Sequence, residues 1–403
     1  MKELIIVGGG FAGLKAALSA NYEIKQNKGE VQLTLISPND FLVIRPRLYE
    51  QNPEKMKALL QPILEAVGIN FVQGTVNNIN TAQTQISVQM TKQLEMEMSY
   101  DSLILAAGSI LNNPPIPGID AHSWNIDSYE AAIDFDSQLL KVASLPNLAG
   151  HNRFIILGAG ITGIELATEL RSRIQAHSNP ETAAAAEIYL IDQADNLGPA
   201  PTAPSKGIFE DALAQTNVTV KLGRTITNIT ATSVTLDDGE EIEAATVIVT
   251  TGLRANPLAE LLDLELDPAG RLAVDTSLRV KGIKNIFAAG DIAAAHTDET
   301  HMAAMSCQHA MPMGAHAGYN AARSLLGLPH RKYAQPDYRT CIDLGESGAL
   351  LTSGWDRIPE KSGPEVTAIK SKINQELIYP PAGNGERIMA FSHIDAQWAD
   401  SRE

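Results

Sequence analysis

The chain is poor in cysteine, in basic residues and in long apolar runs, and each shortage excludes a class of protein. Its 403 residues include two cysteines, Cys307 and Cys341, too few for a disulfide framework and in keeping with a reducing compartment. Against 47 Asp and Glu stand 31 Lys and Arg, a formal charge of −16. Nucleic acids and anionic lipid surfaces reward basic patches, so neither is an expected partner. No apolar run approaches the ~18 residues of a membrane span. The first apolar strand begins within a few residues of Met1, so no signal peptide is expected. Nine histidines include His309 and His316, but an i, i+7 interval chelates poorly and no Cys or carboxylate cluster accompanies them, so no metal site is expected. These shortages point to a cytoplasmic protein, and its 44% hydrophobic content is enough for two or three packed domains.

What is present is duplicated. Gly8-Gly9-Gly10-Phe11-Ala12-Gly13 and Gly158-Ala159-Gly160-Ile161-Thr162-Gly163 are two G-x-G-x-x-G fingerprints. Each follows a short apolar strand (Leu4 to Val7; Phe154 to Leu157) and opens a helical run (Leu14 to Ala20; Ile164 to Ile174), the context the motif needs. The first glycine permits a tight turn, the second lets the backbone approach a pyrophosphate, and the third lets helix and strand pack closely. Unpaired N–H groups at the helix start then hold the phosphates. Two bound dinucleotides are therefore expected.

The strands that follow differ between the copies. After the second fingerprint, Glu187 to Ile191 ends at Asp192, with Gln193 and no arginine beside it. A carboxylate there accepts hydrogen bonds from ribose hydroxyls and repels a 2′-phosphate, so NADH is expected and NADPH disfavoured. In the first copy Val31 to Ile36 ends in Ser37, and ribose recognition falls to Ser37, Asn39 or backbone.

Further along, Lys284 to Asp291 (K-N-I-F-A-A-G-D) reads as a β-rich strand entering Gly290-Asp291 before an Ala-rich helix. With Leu103 to Ser109 (L-I-L-A-A-G-S) and Val247 to Pro257 (V-I-V-T-T-G-L-R-A-N-P), the set resembles the two-dinucleotide-domain flavoproteins of pyridine nucleotide–disulfide oxidoreductase type, in the family's order from residue 1 to about residue 325. The resemblance implies FAD at Gly8, Gly10, Phe11, Ala12 and Gly13, with Ser37, Asn39, Arg45, Ala107, Gly108 and Gly290 around it and Asp291 on the ribitol. It implies NADH at Gly158, Gly160, Ile161, Thr162 and Gly163, with Asp192, Thr251 and Gly252. The implied fold class is α/β: two Rossmann-like dinucleotide-binding domains, the NADH domain inserted into the FAD domain, plus a small α+β C-terminal domain. We expect the FAD domain at 1–112 and 270–325, the NAD(P)H domain at 113–269 and an interface domain at 326–403. Pro-rich Asn112 to Gly118 and the turn Asp267 to Gly270 mark the crossings, and Gly198 to Pro204 reads as a loop within the NADH domain.

Disulfide reductases of this family carry a cysteine pair in the FAD domain, and residues 1–306 contain no cysteine, which excludes a dithiol mechanism and disfavours the sulfide:quinone reductase pattern. Cys307 and Cys341 are expected as packing residues. The branch most resembled is the type II NADH:quinone oxidoreductases and their relatives similar to apoptosis-inducing factor. Gly158 to Leu170 (G-A-G-I-T-G-I-E-L-A-T-E-L) puts Glu165 where that branch has a glutamate near nicotinamide and flavin. Arg45-Pro46-Arg47-Leu48-Tyr49-Glu50 resembles the segment passing the reactive edge of the isoalloxazine, which makes Arg45 and Pro46 site candidates. Of the branch's glutamines after the G-D motif, Gln308 remains; Pro312 is expected to bend or restart that helix, and Met302, Met305, Met311 and Met313 offer an adaptable apolar surface.

Tyr338 to Leu350 alternates around glycines as a hairpin does, and Thr367 to Leu377 reads as a helix stopped by Pro380 and Pro381. A polar tail with Asp395, Asp400 and Glu403 stands where many type II enzymes have a basic amphipathic helix. The expected activity is that of a FAD-dependent NADH dehydrogenase, passing a hydride from NADH to flavin N5 and then two electrons to a quinone-like acceptor without proton pumping. Reduction of a protein carrier such as ferredoxin or rubredoxin, and an NAD(H)-binding signalling role, stay open as alternatives. So do peripheral membrane contact and a homodimer.

Overall fold

The computed structural model describes residues 1–145, 147–198 and 203–398. Most of the Pro-rich stretch Gly198 to Pro204 lies outside them, as do Asp400 and Glu403. Runs such as Leu4-Ile5-Ile6-Val7 and Phe154-Ile155-Ile156-Leu157 are buried along their whole length, the mark of parallel strands covered by helices on both faces. Two such sheets form. The first orders its strands Ile286–Ala288, Ser102–Leu105, Lys2–Val7, Val31–Ser37 and Asn70–Gln73, all parallel. The second repeats the pattern with Trp124–Asn125, Thr246–Val249, Arg153–Leu157, Glu187–Asp192 and Val218–Leu222. The fold is α/β, with two Rossmann-like halves. In each, the fingerprint strand is central, its successor lies on one side and a strand from much later in the chain on the other. That reversal opens a crevice at the carboxyl ends of the strands, where open α/β sheets take their ligands.

The chain passes between the halves on a two-stranded ribbon, Ser109–Leu111 antiparallel to Leu253–Ala255. The Asn112 N–H donates to the Gly252 carbonyl at 2.9 Å, and the Thr251 hydroxyl donates to the Asn112 carbonyl at 3.0 Å. At Asp267 to Gly270 the chain turns, the Gly270 N–H donating to the Asp267 carbonyl at 2.8 Å. The C-terminal residues add an antiparallel sheet of Arg339–Asp343, Ala349–Ser353 and Ile358–Gly363. Helix Pro364–Lys372 follows and widens into a π turn at Ile373–Leu377.

Helix Phe11–Gln26 lies against helix Cys307–Leu326. Glycine makes that contact close, since a Cβ at Gly314 would sit 2.2 Å from the Ala12 carbonyl oxygen and one at Gly318 would sit 2.1 Å from that of Ala16. Pro312 does not restart this helix, which runs through it. The Gln308 carbonyl, four residues back and left without its helical donor, accepts instead from Gln335 Nε2 at 3.1 Å. A second correction concerns Asp291. Only a 3-10 turn, Gly290–Ile292, follows the strand; Ala293–Ala294 then pairs in parallel with Leu272–Ala273, and helix begins at Cys307. No helix among the described residues is long and apolar enough to cross a membrane.

Candidate functional site

Both fingerprints build the same cradle. Gly8 has φ +116° and a Cβ there would sit 2.2 Å from the Ala106 carbonyl oxygen; at Gly13 it would meet the Gly8 carbonyl at 1.7 Å. At Gly10, between them, a Cβ would meet nothing within 4 Å. The second copy matches: Gly158 has φ +115°, Gly163 would collide with the Gly158 carbonyl at 1.9 Å, and Gly160 faces open space. Gly10 and Gly160 cap helices Phe11–Gln26 and Ile161–His177 without a side-chain bond to the first turn, and neither first turn holds an acid. Each helix start thus presents free N–H donors and a positive dipole end to the space its middle glycine leaves open, which fits a pyrophosphate.

At the first cradle Ser37 is buried, and a Cβ on Gly9 would lie 2.6 Å from its Oγ, so the strand end is packed on the loop. Asn39 is half-buried. Ala12 packs against Gly290 as well as Gly314, while the Phe11 ring meets Trp398 at 6.4 Å. Ala107 and Gly108 (φ +71°) enter the interdomain ribbon. Asp291 accepts the Ser109 hydroxyl at 2.6 Å. Burial holds its carboxyl above the usual range, against the opposing pull of Ser109 and Arg45. Arg45 donates to Ser109 Oγ at 2.8 Å, pairs with Asp127 and stands 3.8 Å from Asp291. Its charge is already met by two carboxylates, and with Pro46 it forms a short 3-10 turn, Arg45–Arg47.

At the second cradle Asp192 accepts the N–H of Ala159, inside the fingerprint, at 2.6 Å and that of Ala194 at 2.8 Å. Each oxygen keeps a lone pair for a further donor. The fold also brings Arg224 to this strand end, its N–H donating to the Asp192 carbonyl at 3.0 Å. Its guanidinium pairs with Asp237 and Asp238. Ile161 is half-buried and Thr162 exposed at the helix start.

Glu165, on the first turns of the second-fingerprint helix, is buried against the C-terminal domain. Lys370 Nζ donates to its Oε1 at 2.7 Å, and the Asp343 N–H donates to the same oxygen at 3.0 Å. Burial pushes the Glu165 carboxyl up despite Lys370. Burial alone would lower Lys370, yet the Glu165 charge and hydrogen bond hold it above its ordinary value. The Tyr49 hydroxyl donates to Asp343 Oδ2 at 2.9 Å, and Lys370 lies 5.5 Å from the centre of its ring. Arg173, fully buried on the same helix, donates to the carbonyls of Leu48 (3.0 Å), Tyr49 (3.3 Å) and Ala132 (2.9 Å) and to Asp136 at 2.6 Å.

Gln308 lies at the start of helix Cys307–Leu326, half-buried beside Met305 and Met311, while Met313 is core. Burial pushes the Cys307 thiol up to about 11 and raises Cys341 as well, which suits packing rather than thiolate chemistry. His309 is buried among Tyr338 and Trp355, and desolvation lowers it to about 4. Lys370, Asp343, Arg173 and Arg224 were not among the residues expected at the site. Glu165, Glu169 and Arg173 do carry a signal, an i, i+4, i+8 row of charge along one face of the helix; Lys370 carries none.

The sequence profile of the pyridine nucleotide-disulphide oxidoreductases matches residues 2–314. An NADH dehydrogenase-like protein of Mycobacterium tuberculosis is 35% identical over 390 residues, 96% of each chain. A type II NADH:quinone oxidoreductase of Haemophilus influenzae is 25% identical over 397 residues, 89% of each. Among solved structures, NDH2 from Plasmodium falciparum in complex with RYL-552 superposes with a TM-score of 0.79 at 15% identity, covering 98% of this chain and 97% of that one. With these matches added to the duplicated cradle, the chain belongs to the pyridine nucleotide-disulphide oxidoreductase family and is a FAD-dependent NAD(P)H oxidoreductase.

Proposed function

We propose that the protein is an NADH:quinone oxidoreductase working by a ping-pong cycle, with FAD on the first cradle, NADH on the second and a quinone-like acceptor. The observation that carries this reading is the pair of matching pyrophosphate cradles, with Glu165, on the helix that starts at the second, buried against Lys370 of the C-terminal domain. FAD held there would supply the redox chemistry, accepting hydride from the nicotinamide and giving two electrons to the acceptor. The protein's share is placement and charge. Gly8, Gly10 and Gly13 admit one pyrophosphate, Gly158, Gly160 and Gly163 the other, and Asp291 is set to accept a ribitol hydroxyl. Asp192 supplies the ribose acceptor, and Arg224, neutralised by Asp237 and Asp238, is turned from a 2′-phosphate; this supports NADH over NADPH. Glu165 and Lys370 together are the buried acid–base pair from which a proton passes to an acceptor oxygen. Gln308, Met305 and Met311 offer a polar contact and a soft apolar wall for a flat ring.

Relatives' names point the same way, since the Haemophilus influenzae protein is a type II NADH:quinone oxidoreductase. The test is anaerobic stopped-flow mixing with NADH or NADPH, then with naphthoquinones, benzoquinones or carrier proteins. Bleaching of the flavin band by NADH and rapid recovery with a soluble quinone are expected. A reduced flavin that a quinone leaves bleached and a carrier protein reoxidises would overturn the acceptor assignment.

A further inference from the structure

Lys15 stands one turn inside the helix that starts at the first cradle, and it is only 3% exposed. An ammonium withdrawn from water costs free energy unless it is paired. The groups that meet this one are neutral. The carbonyls of Phe391 (3.2 Å) and Ala396 (2.7 Å) accept from its Nζ, and the centre of the Trp398 ring lies 5.9 Å away. Desolvation accordingly lowers Lys15 to about 8. All three partners belong to a single stretch, which begins 376 residues further along the chain. Trp398 also faces Phe11, the first residue of the helix, with ring centroids 6.4 Å apart. Helical side chains lean toward the N-terminus, so the Lys15 stem runs toward the cradle, where Trp398 meets it.

This stretch is anchored behind and lies across the helix in front. Helix Gly385–Ala390, which leads into it, is seated on helix Gln61–Val67; a Cβ at Gly385 would lie 2.1 Å from the Ala66 carbonyl oxygen. Beyond that seat its hold on the first-cradle helix consists of Lys15, the Phe11–Trp398 contact, and His393 against Tyr22 at 5.9 Å. Its ion pair, Asp395 with Arg331 at 2.8 Å, is half in solvent and adds little. We propose that residues 391–398 are a strap that closes on the first-cradle helix when a diphosphate fills the cradle, and that FAD, on the reading that it is the occupant, is retained by that closure.

The coupling is electrostatic. With the cradle empty, closing the strap desolvates an ammonium against neutral groups only, and hydration of Lys15 competes with it. Two negative charges at the helix start favour the charged amine one turn away, which offsets that cost and strengthens its bonds to the Phe391 and Ala396 carbonyls. By linkage, the factor by which the diphosphate favours the closed strap is the factor by which the closed strap favours FAD. A purely apolar seal has no such term and closes equally well over an empty cradle.

The test follows hydrogen exchange by mass spectrometry in the parent protein, loaded with FAD and after stripping with acidified bromide. Peptides covering 391–398 should exchange about tenfold faster in the stripped protein, and added FAD should restore their protection. Lys15→Met and Trp398→Ala should release FAD about tenfold faster than the parent, read as the rise of flavin fluorescence on dilution, and in Lys15→Met the exchange of 391–398 should no longer respond to FAD. A variant that also loses protection in strand Lys2–Val7 is misfolded, and the loaded and stripped parent then decide the matter. Equal exchange of 391–398 in those two forms, or release of FAD at the parent's rate from both folded variants, would overturn the strap. Protection by NADH and not by FAD would uphold the strap and sink the assignment of FAD to the first cradle.

Discussion

The two cradles share a strand order and glycine geometry, yet their helices sit in different surroundings. Thirteen of the sixteen residues of helix Phe11–Gln26 are buried, against nine of the seventeen in Ile161–His177. The first is walled in by Gly314 and Gly318 of the neighbouring helix, and Phe391, Ala396 and Trp398 pack over it. Lys15, buried and lowered to about 8 by desolvation, donates to the carbonyls of Phe391 (3.2 Å) and Ala396 (2.7 Å). The second helix spends its contacts on polar side chains that reach into other parts of the molecule: Glu165 to Lys370, Arg173 to Leu48 and Tyr49. On the proposed assignment the first cradle retains its ligand and the second exchanges it. The same motif supports both because the glycines set only the pyrophosphate seat, and residence is decided by what packs behind the helix.

The largest expected break of this symmetry comes from the third glycines. Gly13→Ala drives a methyl into the Gly8 carbonyl and should yield folded protein with less than about a tenth of the parent's bound flavin, read from the visible band against total protein. Gly163→Ala makes the same collision at Gly158, and should leave the protein yellow but unbleached by NADH. Flavin loss in both variants, or in neither, would mean the cradles are not assigned as drawn.

The tie between the halves is tested at Arg173. Arg173→Met takes from Asp136 its buried arginine, leaving it His177 at 3.1 Å, and removes a donor from the carbonyls of Leu48, Tyr49 and Ala132. Breaking a buried charge network from one side costs about 3–5 kcal/mol, to be seen as a lower midpoint in denaturant. Arg173→Lys should recover part of it, since the charge remains and the fork geometry is lost. A loss below about 1 kcal/mol would make this contact incidental.

Next in size is a pH effect. Glu169 is raised from an ordinary 4.5 to about 7 by burial and by the charges of Asp343 and Glu50. The folded state therefore binds the proton more tightly than the unfolded chain, and its advantage is complete below about pH 4.5 and lost as pH rises through about 7. Glu169→Gln should remove that loss and stabilise the protein above pH 7 by on the order of 2 kcal/mol relative to the parent. Parallel stability profiles for the two proteins across neutral pH would contradict it.

How much of this could be read in the chain depends on how local the cause is. Both cradles were legible because a strand, a tight turn and a helix start are specified within about fifteen residues, and the glycines are required there by carbonyls a few positions away. Glu165 was legible by its place after Gly163, but its partner stands 205 residues later, and no spacing rule connects Lys370 to it. The restart expected at Pro312 failed for a related reason. Proline breaks a helix when the freed carbonyl has no other donor, and Gln335, 27 residues downstream, supplies one. The helix expected straight after Asp291 failed because Ala293 and Ala294 are drawn into pairing with Leu272 and Ala273. Alanine's helix preference of a few tenths of a kcal/mol does not outweigh a strand partner.

The smallest effect, and the finest cut between the cradles, concerns the nucleotide. Ser37 ends its strand buried against Gly9, while Asp192 keeps lone pairs for ribose hydroxyls. Asp192→Ala should narrow the ratio of NADH to NADPH in flavin bleaching by about tenfold, the worth of one charge-assisted hydrogen bond plus a removed repulsion. The structure adds that Arg224 is adjacent and held away by Asp237 and Asp238. Adding Asp237→Asn and Asp238→Asn frees that guanidinium to meet a 2′-phosphate, so the triple variant should favour NADPH further than Asp192→Ala alone. An unchanged ratio in the single variant would show that Asp192 only braces the Ala159 loop; a shift in the single variant with no gain in the triple would show that Arg224 is too far from the ribose to matter.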